Sequence, residues 1–317
     1  MATSTAAADA PAGAGPTRRT ARRKVRRWSR RDTLVVSLML GIPTLLNILF
    51  VWLPAFTSVG LSLTSWDGIG LDQIKWVGLR NYQEIFTIYP PFWPALEHNV
   101  IWLLFFVLIP TPFGLFLAVL LDRQIKGSRI YQGAIYLPVV LSLAIVGFIW
   151  QLVYSNDQGL INELLKDVGL NPVNWLGDSH VNLWAVLVAA SWRHVGYMMI
   201  LYLAGLKGVD PSLKEAAAID GASERQTFFR VVFPSLRPVN IVVIVITVIE
   251  SLRAFDLVYI INGGFNGLEL LSALVTQNII GEASRIGYGS AIAVIMMLIS
   301  TVFIIIYITR IFKEEPQ

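Results

Sequence analysis

Residues 207–238 read KGVDPSLKEAAAIDGASERQTFFRVVFPSLRP, the one long polar insertion between otherwise apolar stretches. Its punctuation predicts two short helices joined by a glycine. Asp210 before Pro211 is a good N-cap followed by the residue best suited to the first helical position, and Leu213, Ala216 and Ala217 supply a small apolar face. Gly221 ends that helix. A second begins at Ser223, with Gln226 at capping-box spacing and Phe228, Val231 and Val232 as an apolar stripe, and Pro234 stops it. Two such helices, with alanines that permit close approach, form a knob suited to a groove in another protein. The plainer alternative is a helical loop packed on its own bundle.

Working outward from the insertion, the chain is too apolar for a soluble enzyme. Its 317 residues are 55% hydrophobic and 15% charged, with a mean hydropathy of +0.62, whereas soluble domains are charged at roughly a quarter of their positions. A helix needs about 20 apolar residues to cross a bilayer, and six stretches qualify: 34–56, 99–121, 130–154, 181–206, 239–261 and 287–309. The first three and the last contain no Asp, Glu, Lys or Arg. Pro43, Pro110, Pro112 and Pro138 inside them argue against soluble core helices but are tolerated in spans. The expected fold is all-α, a polytopic membrane protein with six transmembrane helices spanning residues 34–317.

Lysine and arginine orient those spans, since positive charge stays cytoplasmic. Nine lie in the tail up to Arg31, three in 122–129, five in 207–238 and two at the C-terminus, against four (Lys75, Arg80, Lys166, Arg285) on the opposite side. Both termini are therefore expected in the cytoplasm. Residues 1–33 are rich in Ala, Pro, Gly and Arg and are expected to form a disordered cytoplasmic tail, followed by an uncleaved first span. Because the net charge of +4 is a property of this tail, no nucleic-acid surface is inferred, and contact with membrane lipid is the alternative to a purely orienting role. The chain has no cysteine, and His98, His180 and His194 are scattered, so no metal site is expected. It also has no GxxxxGKS/T, HExxH or GxSxG segment. Energy for any transport must come from a partner or an ion gradient.

Glu215-Ala216-Ala217, then Asp220-Gly221-Ala222, Phe228, Phe233-Pro234 and Pro238 resemble the EAA loop of binding-protein-dependent ABC importer permeases. Leu137-Pro138, Ala204-Gly205-Leu206, Phe255-Asp256-Leu257 with Gly263-Gly264, and Tyr288-Gly289-Ser290-Ala291 are similar to the sugar-permease branch of maltose and glycerol-phosphate type. The departure is Asn262-Gly263-Gly264-Phe265, where that family often has Thr-x-Gly-Gly-Pro. The resemblance implies a type I importer permease in a bacterial or archaeal cell membrane. It also implies a second permease subunit, a pair of cytoplasmic ATPase subunits that bind ATP and magnesium, and an extracytoplasmic solute-binding protein delivering a carbohydrate. The loop would seat in an ATPase cleft, with Glu215 and Gly221 mattering most; Glu215 could instead pair locally with Lys214 or Lys207.

Charges at mid-depth cost at least about 2.5–3.5 kcal/mol and need a partner or a wet cavity. Arg193 is thirteenth in a span of 26 and Glu250 twelfth in one of 23, so the two lie near the middle of antiparallel helices and can face each other. Tyr197 shares the helix face of Arg193, and Arg253 that of Glu250, with His194 pointing about 100° away. Guanidinium, carboxylate and a flat ring suit the hydroxyls and C–H face of a sugar, and the stretch from Ser191 to Met198 is similar to the one that contacts sugar in maltose-type permeases. The alternative is an ion pair holding two helices together. Trp150 and Gln151 are weaker candidates. Two further functions remain open: an ion-coupled transporter using Glu250 or His194, and a scaffold that transports nothing.

Overall fold

The computed structural model describes residues 29–123, 125–281 and 284–313; of the tail expected to be disordered, residues 1–33, positions 1–28 lie outside them, while Arg30 to Thr33 are helical. The chain divides into two compact units, Met1–Leu53 and Pro54–Gln317. Among the described residues every regular element is helical, apart from one isolated bridge between Thr64 and Trp76.

Helix α1 (Arg30–Leu61) begins four residues before the expected span, and the division after Leu53 falls within it. The cause is a capping box. Ser29 Oγ accepts from the Asp32 N–H at 3.1 Å, and the Asp32 carboxylate accepts from the Ser29 N–H at 3.0 Å. No side chain from Arg30 to Trp52 is buried, as suits a helix that is apolar all round and meets lipid.

The second unit opens with the end of α1 and continues with α2 (Arg80–Thr87) and α3 (Phe92–Asp122), followed by α4 (Ser128–Val140), α5 (Leu143–Val153) and α6 (Leu160–Asp167). Next come α7 (Asn182–Lys207), α8 (Pro211–Ile219) and α9 (224–235). It closes with α10 (Arg237–Leu252), α11 (Asp256–Asn262), α12 (Leu271–Ile279) and α13 (Ile286–Lys313). The most extensive packing joins α3 to α7. Gly114 makes it possible, because a Cβ there would sit 2.7 Å from Met198 Cβ and 3.1 Å from the Val195 carbonyl. With hydrocarbon on both sides of the balance, such close backbone approach is a principal source of helix association in a bilayer.

Among the described residues four helices are long and apolar enough to cross a membrane, α1, α3, α7 and α13, and a fifth crossing results if the bent pair α4–α5 counts as one. The expected spans 130–154 and 239–261 therefore differ from the structure. The first is bent by 99°. Leu141 is extended, and Ser142 caps a new helix through a 3.3 Å bond from the Ile145 N–H. The second ends at Leu252 and restarts at Asp256, so Arg253 is a helix cap and does not continue the face of Glu250. Thr247 and Ser251 hydroxyls bond back to the carbonyls of Val243 and Thr247 at 2.8 and 2.7 Å, and such bonds loosen a helix near its end.

The segment 262–286, read as an outer loop, contains α12 with Leu271, Ala273 and Leu274 fully buried. Nine residues are too few to cross, so a hydropathy window passes over it. Asn99 fixes it in place. Its Oδ1 accepts from the Leu271 N–H at 2.9 Å, satisfying a helix-start donor, while its Nδ2 donates to the Ser251 carbonyl at 3.1 Å. Gln151 plays the matching part for α11, donating to the carbonyls of Ile260 and Ile261 at 2.7 and 3.0 Å.

Candidate functional site

The break between α10 and α11 opens onto a cavity of about 270 Å³, also walled by α3, α5 and α7. Arg193, Glu250, Arg253 and Asp256 line it, two positive and two negative charges, with Arg193 and Glu250 half-buried and Arg253 and Asp256 exposed at its mouth. Arg193 Nη1 lies 3.4 Å from Glu250 Oε2, a long contact that leaves both groups capacity for another partner. His194 Nε2 stands 3.2 Å from Thr111 Oγ1 and 3.5 Å from Thr247 Oγ1, and its ring lies 4.4 Å from that of Phe106. Three buried polar atoms of lining side chains, Arg193 Nε, His194 Nδ1 and Trp102 Nε1, have no hydrogen-bond partner among the described residues. Buried polar groups are nearly always paired, so three around one cavity mark a place that takes a polar ligand or ordered water. Trp102, Phe106 and Phe255 add aromatic surface.

The structure thus brings together Arg193, Glu250 and Arg253, and sets the other sequence candidates apart. Trp150 and Ser191 line a separate apolar groove with Phe113 and Trp192. Ser191 Oγ is committed to the Leu187 carbonyl at 2.7 Å, and Trp150 packs against Tyr154 and Trp192 with ring centroids 5.1 and 6.0 Å apart. Tyr197 packs against the core around Met198, Tyr202 and Leu236 and lines neither. Asp256, Trp102 and Phe106 were missed. A signal for Asp256 was present in the sequence: a second charge three residues after Arg253 in an apolar run implies a broken helix, since an unbroken span would carry both through hydrocarbon.

The 207–238 insertion forms the two helices its punctuation predicts. Asp210 Oδ1 accepts from the Ser212 N–H at 2.9 Å, and hydrogen bonds from Ser212 hold the Asp210 carboxyl below its ordinary pKa. At the far end of α8 the Gly221 N–H bonds to Ala218 O and the Ala222 N–H to Ala217 O, at 3.1 and 3.0 Å, a Schellman closure with Gly221 left-handed at φ +77°. Ser223 and Gln226 form the capping box. Pro234 does not stop α9, which runs to Ser235. The helix widens to a π turn over Phe228–Val232, which relieves the clash of the proline ring with the preceding turn.

Ala217 is buried against the bundle and Phe228 partly so, whereas Glu215, Ala216, Asp220 and Gly221 are exposed and Ala222 half-buried. Lys214 pairs with Asp122 at 3.5 Å and Glu224 with Arg123 at 2.9 Å, tying both short helices to the end of α3. Glu215 has no ion pair among the described residues, so its carboxylate stays available outward. Leu213 and Ile219 on α8 and Phe229 on α9 are exposed as well.

Residues 14–313 match the model of the family described as binding-protein-dependent transport system inner membrane component. The chain is 31% identical over 272 residues to the probable ABC transporter permease protein YurN of Bacillus subtilis, covering 84% of this chain and 92% of that one. It is 32% identical over 261 residues to the trehalose/maltose transport system permease protein MalF of Thermococcus litoralis, covering 82% and 88%. Among solved structures it shares the fold of a chain from a bacterial ABC transporter involved in the import of the acidic polysaccharide alginate. The TM-score is 0.77 at 20% identity, over 90% of this chain and 97% of that one.

Proposed function

The chain belongs to the family of binding-protein-dependent transport system inner membrane components, and from that premise we propose that it is the permease subunit of an ATP-driven importer that passes a saccharide through the cavity at Arg193 and Glu250. The observation that carries this reading is the cavity itself, with four charges and three unpaired buried polar atoms beside a helix break. A broken helix leaves backbone N–H and C=O groups free to meet a solute. Paired guanidinium and carboxylate groups donate to and accept from vicinal hydroxyls, and the flanking aromatic rings suit the C–H face of a sugar. The names of the relatives, trehalose and maltose among them, agree with that chemistry.

Counting the bent pair α4–α5 and the broken pair α10–α11 as one crossing each gives six spans, with both termini and the 207–238 loop in the cytoplasm. The loop then docks a pair of ATPase subunits, which bind the ATP and magnesium that this chain has no motif to hold. A second permease completes the pathway, and an extracytoplasmic binding protein delivers the solute. ATPase closure draws the loops together, and the α8–α9 knob passes that motion to α3 through the Asp122 and Arg123 pairs.

The chain has no cysteine, so single-cysteine labelling reads its topology directly. A membrane-impermeant maleimide is expected to modify Asp157→Cys in intact cells and Ser212→Cys only after permeabilisation; the reverse pattern inverts the orientation. For function, the complex is reconstituted in proteoliposomes and uptake of labelled maltose, xylose and arabinooligosaccharides is measured. Uptake should require ATP and ignore an uncoupler. Uptake by this chain alone that collapses with an uncoupler would establish ion coupling through Glu250 or His194 instead.

A further inference from the structure

A second, larger cavity of about 660 Å³ lies at the opposite end of α3 from the 207–238 loop, between the 65–77 segment, α2 and the start of α13. The segment leaves the end of α1 as a narrow flap, closed by the Thr64–Trp76 bridge and a 2.9 Å bond from the Ser65 N–H to the Lys75 carbonyl. The Gly287 N–H pins it to the first turn of α13 through the Trp66 carbonyl at 3.0 Å, and Asn81 Nδ2 pins it to α2 through the carbonyls of Ser62 and Thr64, both at 2.8 Å. The cavity therefore lies where two long apolar helices, α1 and α13, have their ends, at the level of the lipid headgroups.

Its charges are unevenly committed. Arg80 is held by Glu84 at 2.8 Å, and the Asp67 carboxylate accepts from the Ile69 N–H at 2.9 Å. Lys75 and Arg285 pair with no carboxylate among the described residues, and Arg285 lies 5.1 Å from the ring centre of Tyr288. Around the flap Ile69, Leu71, Trp76 and Leu79 are 70–78% exposed. Water is a poor solvent for four such side chains on one short segment, whereas the boundary between headgroups and acyl chains accepts them, tryptophan above all.

We propose that this cavity holds the headgroup of an anionic phospholipid. Lys75 and Arg285 bind the phosphate, Arg285 presenting two parallel donors to its oxygens, and the apolar rim rests in the acyl boundary. The flap would then be anchored to the membrane surface while it braces the start of α13. This assignment needs only the membrane location and is independent of which solute is carried.

The test is an equilibrium titration of the purified complex in neutral mixed micelles with fluorescent phosphatidylglycerol and, separately, phosphatidylcholine. Phosphatidylglycerol should bind roughly ten-fold more tightly, the ratio expected for one charge-assisted hydrogen bond, and the preference should shrink on going to high salt. The double variant K75Q/R285Q should lose most of it, and K75R, which keeps the charge and the donors, should retain it. The basic tail contributes equally to all these proteins, so their comparison isolates the cavity. Unchanged phosphatidylglycerol affinity in K75Q/R285Q overturns the proposal. So does displacement of the lipid by inorganic phosphate alone, or equal affinity for the two lipids, the result expected if an acidic protein segment fills the cavity in the complex.

Discussion

Valine in place of Gly221 is expected to abolish transport and solute-stimulated ATP hydrolysis in the reconstituted complex while leaving insertion into the membrane intact. The reason is backbone conformation and not space, because a Cβ at Gly221 would meet nothing within 4 Å. At φ +77°, however, an L-residue pays roughly 1–2 kcal/mol, and a β-branched one more. The cheaper outcome is for the turn to rearrange, giving up the two Schellman bonds to Ala217 and Ala218. That would re-aim α9 against α8 and break the surface shared by Glu215, Ala216 and Ile219. A graded series separates the two explanations. Asparagine, larger than alanine but at ease in the left-handed region, should retain more coupling than alanine. Normal stimulated hydrolysis in Gly221→Val would sink the docking role of this loop.

The turn at Gly221 was legible in the sequence because its determinants are local: Asp210-Pro211, Gly221-Ala222 and Ser223 with Gln226 each act within a few residues. The four long helices were legible for a similar reason, since a run of about 20 apolar residues has few alternatives to crossing a bilayer. What escaped the reading depends on partners far along the chain. The bend at Ser142 is one serine inside an apolar run, and a hydropathy window averages it away. Helix α12 is held by Asn99, 172 positions from Leu271, and no local pattern announces that bond. In the candidate site, Arg193 and Glu250 were matched by their equal depth in antiparallel helices, an inference that survives small errors of register. The grouping of Tyr197 with Arg193 assumed that both face the same neighbour. In the structure Tyr197 turns toward the core that contains Leu236, and Asp256 reaches the cavity only because the helix breaks before it.

Arg193→Met and Glu250→Gln are each expected to lower saccharide uptake by roughly ten- to a hundred-fold, the loss for one or two charge-assisted hydrogen bonds, with the complex still assembled. A lost ion pair between helices would lower uptake too, so single variants do not separate substrate contact from a strut. The double variant R193M/E250M does. If the pair only joins α7 to α10, removing one partner leaves an uncompensated charge, whereas replacing both by methionine costs little or even stabilises. Uptake should then recover. If the two side chains hold the saccharide, the double variant has no polar contacts to offer and remains at or below the weaker single. The long 3.4 Å contact and the unpaired Arg193 Nε favour the second outcome, because a strut would close to a shorter, fully satisfied pair. Wild-type uptake and specificity in both single variants would place the solute path elsewhere, and the groove lined by Trp150, Ser191 and Trp192 would be the next place to test.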